Sequence, residues 1–221
     1  LGESGSGKST MASLIAGALS GHTGTIRLGD ATLDGPAHRR TQEARRRIQM
    51  VFQDPLSSLN PTHSVEQTLT RPLMRYFGLA RTAARDKAVA LLADLELGPE
   101  FLDRWPRQLS GGQQQRIAIA RALAADPDVL ICDEVTSALD VTIQAQVVQL
   151  LARLQSQRGL AMLFISHDLA VVAGISDQIV VLQQGKVRDH GTRDTVLTAP
   201  SHPYTERLLA AYRRAERTVV V

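Results

Sequence analysis

Apolar and polar positions change their spacing from one stretch of this chain to the next, and each change predicts a different element. After a glycine-rich opening, residues 10–19 carry apolar side chains at helical spacing and predict a helix. Residues 25–28 and 31–33 predict two short strands with Gly/Asp turns, a small antiparallel part. The arginine-rich residues 37–47 predict an exposed helix, and 48–52 a strand ending at Gln53. The texture then turns helical. Residues 64–77 and 82–95 repeat apolar positions at helical intervals, with loops at Gly78 and at Gly98-Pro99. Residues 54–108 are therefore expected to be a helical subdomain inserted between two parts of a core, 1–53 and 109–221.

Residues 110–124 predict another helix, with Ser110 as its N-cap. Residues 129–132 form a short, wholly apolar run, the texture of a strand covered on both faces. A helix at 142–158, a buried strand at 161–165, a helix at 169–174 and a strand at 178–182 follow. The chain closes with a helix at 203–215 and a frayed tail at 219–221. Alternation of strand and helix predicts an α/β domain with a largely parallel sheet.

Composition narrows this only a little. At 221 residues the chain is one domain of ordinary size. A formal net charge of +3 is too mild to argue for nucleic acid by itself. Cys132 is the only cysteine, so no internal disulfide can form, which suits a reducing compartment. No run of about 18 apolar residues is present to span a membrane. No signal peptide, internal repeat or low-complexity tract is visible.

Three stretches carry chemistry. The opening LGESGSGKST fits the spacing G-x-x-x-x-G-K-[ST], with Gly2, Gly7, Lys8 and Ser9 at the fixed positions. Gly5 and Gly7 allow a tight turn in which successive N–H groups face one anion. A helix starting near Lys8 adds its positive end. Lys8 can reach β- and γ-phosphates, and the Ser9 hydroxyl can ligate Mg²⁺. A glycine/serine linker is the alternative, but the apolar helix that follows argues against it. By itself this motif predicts a nucleotide binder.

The second stretch, VLICDE, ends an apolar strand with Asp133 and Glu134. Beside a phosphate-binding loop, Asp133 is expected to hold Mg²⁺ through its water shell and Glu134 to act as base toward an attacking water. An acidic loop after a strand is the plainer reading. The third, LSGGQQQR at 109–116, opens a helix with two glycines and a serine, and predicts a second anion site on a second helix. One nucleotide rarely needs two such ends from one chain. A dimer would use both, each ATP lying between the loop of one copy and Ser110, Gly111 and Gly112 of another.

With these motifs in this order the chain resembles the nucleotide-binding subunit of an ATP-binding cassette (ABC) transporter, over essentially its whole length. The resemblance rests on GESGSGKST, Gln53 in VFQDP, LSGGQ, LICDE, SALD at 137–140 and His167 in ISHD. It implies a P-loop NTPase core and ATP hydrolysis with Mg²⁺. It implies that Gly2, Glu3, Ser4, Gly5, Ser6, Gly7, Lys8, Ser9 and Thr10 hold the nucleotide, together with Ser110, Gly111, Gly112, Gln113 and Asp140 of a partner interface. Ser9, Gln53 and Asp133 are implied for the metal, and Glu134, His167 and Gln53 for catalysis. On its own Gln53 would be a solvated strand-end glutamine and His167 a polar cap; the resemblance gives them the γ-phosphate to sense and, for His167, Glu134 to hold in place.

Members of this family sit on the cytoplasmic face of the inner membrane and dock on two membrane-spanning permease subunits, here expected at residues 54–60 and the neighbouring helices. A second ATPase subunit, identical, different or fused, and an extracytoplasmic solute-binding protein complete the implied assembly. QDPLSSLNP at 53–61 and SHPYTERLL at 201–209 resemble the peptide, dipeptide and nickel importer branch, with peptides favoured. A nickel or other solute importer and a phosphonate-metabolism ATPase stay open. Nucleic-acid contact through the arginines at 39–47 is not expected; they read as a solvated helix face. The family's adenine-stacking aromatic and the strand entering the loop would lie before Leu1, so the sequence is expected to continue upstream.

Overall fold

The computed structural model describes residues 1–33, 35–137 and 139–218. The tail expected at 219–221, and Ala138 of the SALD stretch, lie outside the described residues. Along the chain run α1 (Lys8–Ala16), β1 (Arg27–Leu28), β2 (Ala31–Thr32), α2 (Gln42–Arg47), β3 (Ile48–Val51), α3 (Pro55–Ser58), α4 (Val65–Phe77) and α5 (Arg81–Asp94). Then come α6 (Gly111–Leu123), β4 (Val129–Asp133), α7 (Val141–Arg158), β5 (Ala161–Ile165), α8 (Leu169–Ile175), β6 (Gln178–Gln183), β7 (Lys186–Thr192), α9 (Arg193–Thr198) and α10 (Pro203–Thr218). The fold is α/β, with a parallel sheet and separate antiparallel pairs. It divides into two compact units, Ser13–Leu163 and Leu1–Ala12 with Phe164–Val221.

In the unit Ser13–Leu163, β3 and β4 run parallel, in register from Ile48 opposite Val129 to Val51 opposite Cys132. β4 is the middle strand of the order β3-β4-β5, and Leu130, Ile131, Cys132 and Asp133 are all buried. A central parallel strand covered on both faces needs no polar alternation, which is why its sequence reads as one apolar run. β5 stands at the edge of this order and is only half-buried from Met162 to Phe164, less covered than its apolar sequence predicts. Helices supply the covering layer: α6 buries Ile117, Ala118, Ile119, Ala120 and Leu123, and α7 buries Val147, Leu150, Leu151 and Leu154.

Between Asp54 and Gln108 the described backbone is helices and turns. α4 buries Val65, Leu69 and Leu73, one face at intervals of four. Ser64 starts it with a closed capping box against Gln67, and Gly78 ends it in the left-handed conformation. α5 packs Ala84, Ala88, Leu91 and Leu92 inward, and Glu66 of α4 pairs with Arg81 and Arg85 of α5.

The arginine-rich stretch departs from expectation. Residues 37–39 form a 3-10 turn, and only Gln42–Arg47 is α-helical. Arg40 is buried, 7% exposed, and its guanidinium donates to the carbonyls of Leu14, Ile15 and Gly35. Those first two carbonyls belong to the last turn of α1, where a cation satisfies free acceptors and the helix dipole together. Arg46 reaches Glu43 and the carbonyls of Ala125 and Asp126, and Arg47 pairs with Asp128. Arg40 is an internal fastener, Arg46 and Arg47 are partly exposed and tie the stretch to neighbouring segments, and Arg39 stays in solvent, so only part of the stretch is a solvated face.

In the unit formed by the chain ends, β6 and β7 pair antiparallel. The backbone of Leu1 adds to β6: its nitrogen donates to Val180 O at 2.9 Å, and its carbonyl accepts from Leu182 N at 2.8 Å. Leu1, Leu169, Val172, Ile179, Val181, Val196, Tyr204 and Leu209 make the core. β7, α3 and α9 are absent from the sequence-based expectation. Along β7 the one buried side chain is Asp189, so no apolar alternation marks the strand.

Candidate functional site

In the unit formed by the chain ends, the glycine-rich loop folds back on itself ahead of α1. Gly5 and Gly7 take φ of +77° and +100°, the left-handed side that a tight phosphate loop requires. Ser6 N donates to Glu3 O at 3.2 Å, and Gly185 N, from the turn between β6 and β7, donates to Ser6 O at 2.9 Å. Lys8 is buried at 5% exposure. Its ammonium donates to Gly2 O and Glu3 O at 2.8 Å each, and to Ser6 Oγ at 3.4 Å. An ammonium has three donors, and the longest of these bonds, to Ser6 Oγ, is the one a phosphate oxygen can replace at a gain while the two carbonyls keep the cation in place.

His167 is exposed on the turn that follows β5. Ser166 Oγ accepts from Asp168 N at 2.9 Å, and Asp168 caps α8 by accepting from Ala170 N and Val171 N. These bonds fix the turn on both sides of the histidine. His167, Asp168 and Glu3 line one cavity of about 520 Å³, walled on the other side by Tyr204, Arg207 and Tyr212 of α10.

In the unit Ser13–Leu163, Asp133 ends β4 buried at 7% exposure, while Glu134 leaves the strand half-buried with φ +48°. A left-handed glutamate is a strained backbone state, and such residues persist where the surroundings impose them. The turn frees Glu134 from strand alternation, which would have sent it away from the face of Asp133. Gln53 Nε2 donates to Ser137 Oγ at 3.3 Å, and Ser137 Oγ donates to Glu134 O at 2.9 Å. So Gln53 and Glu134 are joined through Ser137, a residue the sequence reading placed in a motif but gave no role. SALD following the acids was the available signal.

Ser110 caps α6 as expected, and does so within its own helix. Its hydroxyl accepts from Gln113 N at 3.4 Å, and Gln113 Oε1 accepts from Ser110 N at 3.0 Å. The N–H groups of Gly111 and Gly112 have no intrahelical acceptor, by the geometry of any helix start. Gly112 also gives room: a Cβ there would sit 2.9 Å from Ile143 Cγ2 of α7. Asp140 caps α7, accepting from Ile143 N at 2.9 Å.

Beside Gln53, Asp54 caps α3 through Leu56 N. Ser58, Asn60, His63, Arg71, Arg75 and Arg121 help line a groove of about 310 Å³. Burial pushes the Arg121 guanidinium below its ordinary pKa, and it donates to Ser58 O.

Among the described residues no group of three or more His, Cys, Asp or Glu side chains could hold a metal ion. No described helix is long and apolar enough to cross a membrane.

Comparison with known proteins agrees with this geometry. The chain is 46% identical over 212 residues to the oligopeptide transport ATP-binding protein OppF of Salmonella typhimurium, covering 96% of this chain and 64% of that one. It is 44% identical over 214 residues to the dipeptide transport ATP-binding protein DppF of Escherichia coli, covering 97% and 64%. The chain thus spans less than two thirds of the length of these relatives. Among solved structures it is similar to a dimeric ATP-binding cassette in a post-hydrolysis state bound to ADP and Pi, with a TM-score of 0.74, 32% identity, and coverage of 87% of this chain and 83% of that one. The model of the ABC transporter family matches residues 1–137, and on that match, with the loop and acid pair it contains, the chain belongs to the ABC transporter family.

Proposed function

We propose that this chain is the ATP-binding and hydrolysing part of an importer subunit, and that its cargo is an oligopeptide or dipeptide. The observation that carries the ATP reading is the buried Lys8 ammonium folded onto the Gly2 and Glu3 carbonyls in a loop of left-handed glycines. The relatives named for oligopeptide and dipeptide transport support the cargo.

The nucleotide phosphates are held by the loop from Gly2 to Thr10. Lys8 neutralises charge on the β- and γ-phosphates. Glu134 orients and deprotonates the attacking water, His167 contacts the γ-phosphate, and Gln53 reports its presence to α3. Water attacks the γ-phosphorus in line as its bond to the β–γ bridging oxygen breaks, ADP leaves with phosphate as the second product, and the Ser110, Gly111 and Gly112 donors of a second copy spread the charge that develops on the γ-phosphate. Ser9, Gln53 and Asp133 offer a hydroxyl, an amide oxygen and a carboxylate, hard oxygen donors of the kind that suit Mg²⁺. The metal, when bound, adds Lewis-acid polarisation of the phosphoryl oxygens. The dimeric solved relative supports a two-copy arrangement.

The surface of residues 54–60 and the groove lined by Ser58, Asn60, His63 and Arg71 are the proposed dock for a membrane-spanning subunit, with the protein peripheral on the cytoplasmic face of the membrane. Two tests separate the parts of this reading. Equilibrium binding of ATP to the full-length protein should be tight in the wild type and weak in Lys8→Ala; a wild type that does not bind ATP would end the nucleotide reading. Mild-detergent purification from native membranes should bring down two multi-span proteins. Recovery of only soluble or ribosomal partners would leave the ATPase chemistry and remove the transport.

A further inference from the structure

The stretch SHPYTERLL at 201–209 takes no part in the phosphate chemistry above, yet it is tied to the loop by a short chain of bonds. Asp189 of β7, 6% exposed, accepts from Ser201 N at 2.8 Å and from Ser201 Oγ at 2.9 Å. Burial raises its carboxyl pKa, but these two bonds and the His202 amide outweigh that and hold it below its usual range. His202 Nδ1 accepts from Tyr204 N at 3.0 Å. Together they seat the first turn of α10 against β7. The Tyr204 ring, 4% exposed, then fills the core with Leu1, Val181 and Leu209.

The Tyr204 hydroxyl accepts from Glu3 N at 3.3 Å. The same peptide unit carries the Gly2 carbonyl, which accepts from Lys8 Nζ at 2.8 Å. Gly2 has φ +152°, and a Cβ there would lie 2.3 Å from Leu182 O of β6. The peptide is therefore pinned on one side by β6, with its N–H on Tyr204 and its C=O on Lys8. A hydrogen bond at the N–H polarises the amide and strengthens its carbonyl as an acceptor.

We propose that Tyr204 is a positioning residue for Lys8: its hydroxyl fixes the Gly2–Glu3 peptide so that the Gly2 carbonyl holds the ammonium over the loop. The proposal rests on the reading of the loop as a nucleotide site. The role of SHPYTERLL is then to bring one phenol to one peptide, with Asp189 as the anchor.

The test is a double-mutant cycle on the full-length protein, read as ADP and ATP affinity by calorimetry with Mg²⁺ present. Tyr204→Phe keeps the ring and its packing and removes only the acceptor. It should weaken nucleotide binding by roughly 3- to 10-fold, the worth of one ordinary hydrogen bond. In a Lys8→Ala background the same change should cost nothing further, because the hydroxyl acts through Lys8. Amide exchange supplies a second measurement: Glu3 N–H should exchange faster in Tyr204→Phe while the amides of α10 do not. A melting temperature that falls with affinity unchanged assigns Tyr204 to packing and overturns the proposal. So does an equal loss of affinity with and without Lys8. A wild type that binds no nucleotide removes the nucleotide reading and this proposal with it, whereas unchanged affinity in Tyr204→Phe removes only this one.

Discussion

Two helices of this protein begin in glycine-rich sequence, and they are built in opposite ways. Ahead of α1 the cation is enclosed: Lys8 and Ser6 are buried although Glu3, Ser4 and Gly5 are exposed, the turn is held by Gly185 and Tyr204, and the ammonium is bonded to the loop's own carbonyls. At α6, Ser110 and Gly111 are exposed, and Ser110 and Gln113 close a capping box within the helix. An enclosed cation costs desolvation unless an acceptor is supplied, so the first start is organised to keep its charge paired until an anion arrives. The second start is stable as it stands, and it presents N–H groups to whatever approaches from outside. A shared glycine signature thus covers a pocket formed within one chain and a surface that we propose acts across two.

The sharpest break in that comparison would come from Glu134→Gln. We expect turnover to fall by roughly 10²- to 10⁴-fold with ATP binding kept, as for loss of a positioned general base. Phosphate release by the full-length protein in its complex reads this directly, and near-normal turnover would remove Glu134 from the mechanism. Ser110→Arg, made in the same Glu134→Gln background, should leave ATP binding by the single copy intact and weaken ATP-driven dimerisation by about 100-fold, since a bulky cation in a closed interface costs several kcal/mol. Normal dimers in sedimentation would mean that the α6 start is no interface. Lys8→Ala attacks the enclosed start: affinity for ATP should fall by about 10- to 100-fold, matching one charge-assisted bond. Unchanged affinity would show that the buried ammonium serves the loop alone.

Smaller effects test the frame around the enclosed cation. Asp189→Asn should cost about 1 to 3 kcal/mol of stability at neutral pH, through bonds to a buried acceptor. The Asp189 carboxyl is held below its usual range, so its contribution is present above the ordinary carboxylate pKa of about 4 and lost as pH falls through the folded-state value. Urea unfolding of wild type and variant should therefore converge in acid; a constant gap would remove ionisation from the anchor. Finally, Cys132, fully buried in β4, has its thiol pushed up to about 12 by burial. At neutral pH it should resist alkylation until the protein unfolds, and fast labelling of the native protein would contradict a closed central strand.

Legibility followed the kind of signal each element carries. β4 was readable because a strand buried on both faces is apolar throughout, α4 and α7 because their buried residues recur at helical intervals, and α6 because Ser110 caps its start. β7 was not readable, since its buried residue is an aspartate whose partners lie on a different element. The arginines at 39–47 misled because charge runs are ordinarily solvated, and nothing in their spacing tells that Arg40 turns inward onto the carbonyls of α1. The loop and the acid pair were marked by residue type at fixed spacing, and Gln53 and His167 only through the family resemblance. The Gln53–Ser137–Glu134 link and the Tyr204–Glu3 bond were not, because each joins residues far apart in the chain.

By itself the sequence determined the local chemistry of this protein: which loop can turn around a phosphate, which helix starts have caps, which strand runs through a core. Those follow from backbone conformation and side-chain type within a few residues, and local physics is enough to set them. Only the tertiary structure decided how that chemistry is held. It buried Lys8 and Arg40 on carbonyls instead of leaving them in water, set Glu134 in a left-handed turn, and brought a phenol some 200 residues away in sequence to the Glu3 amide. Such choices depend on which surfaces are excluded from solvent together. That exclusion is a property of the packed molecule, and no window of sequence contains it.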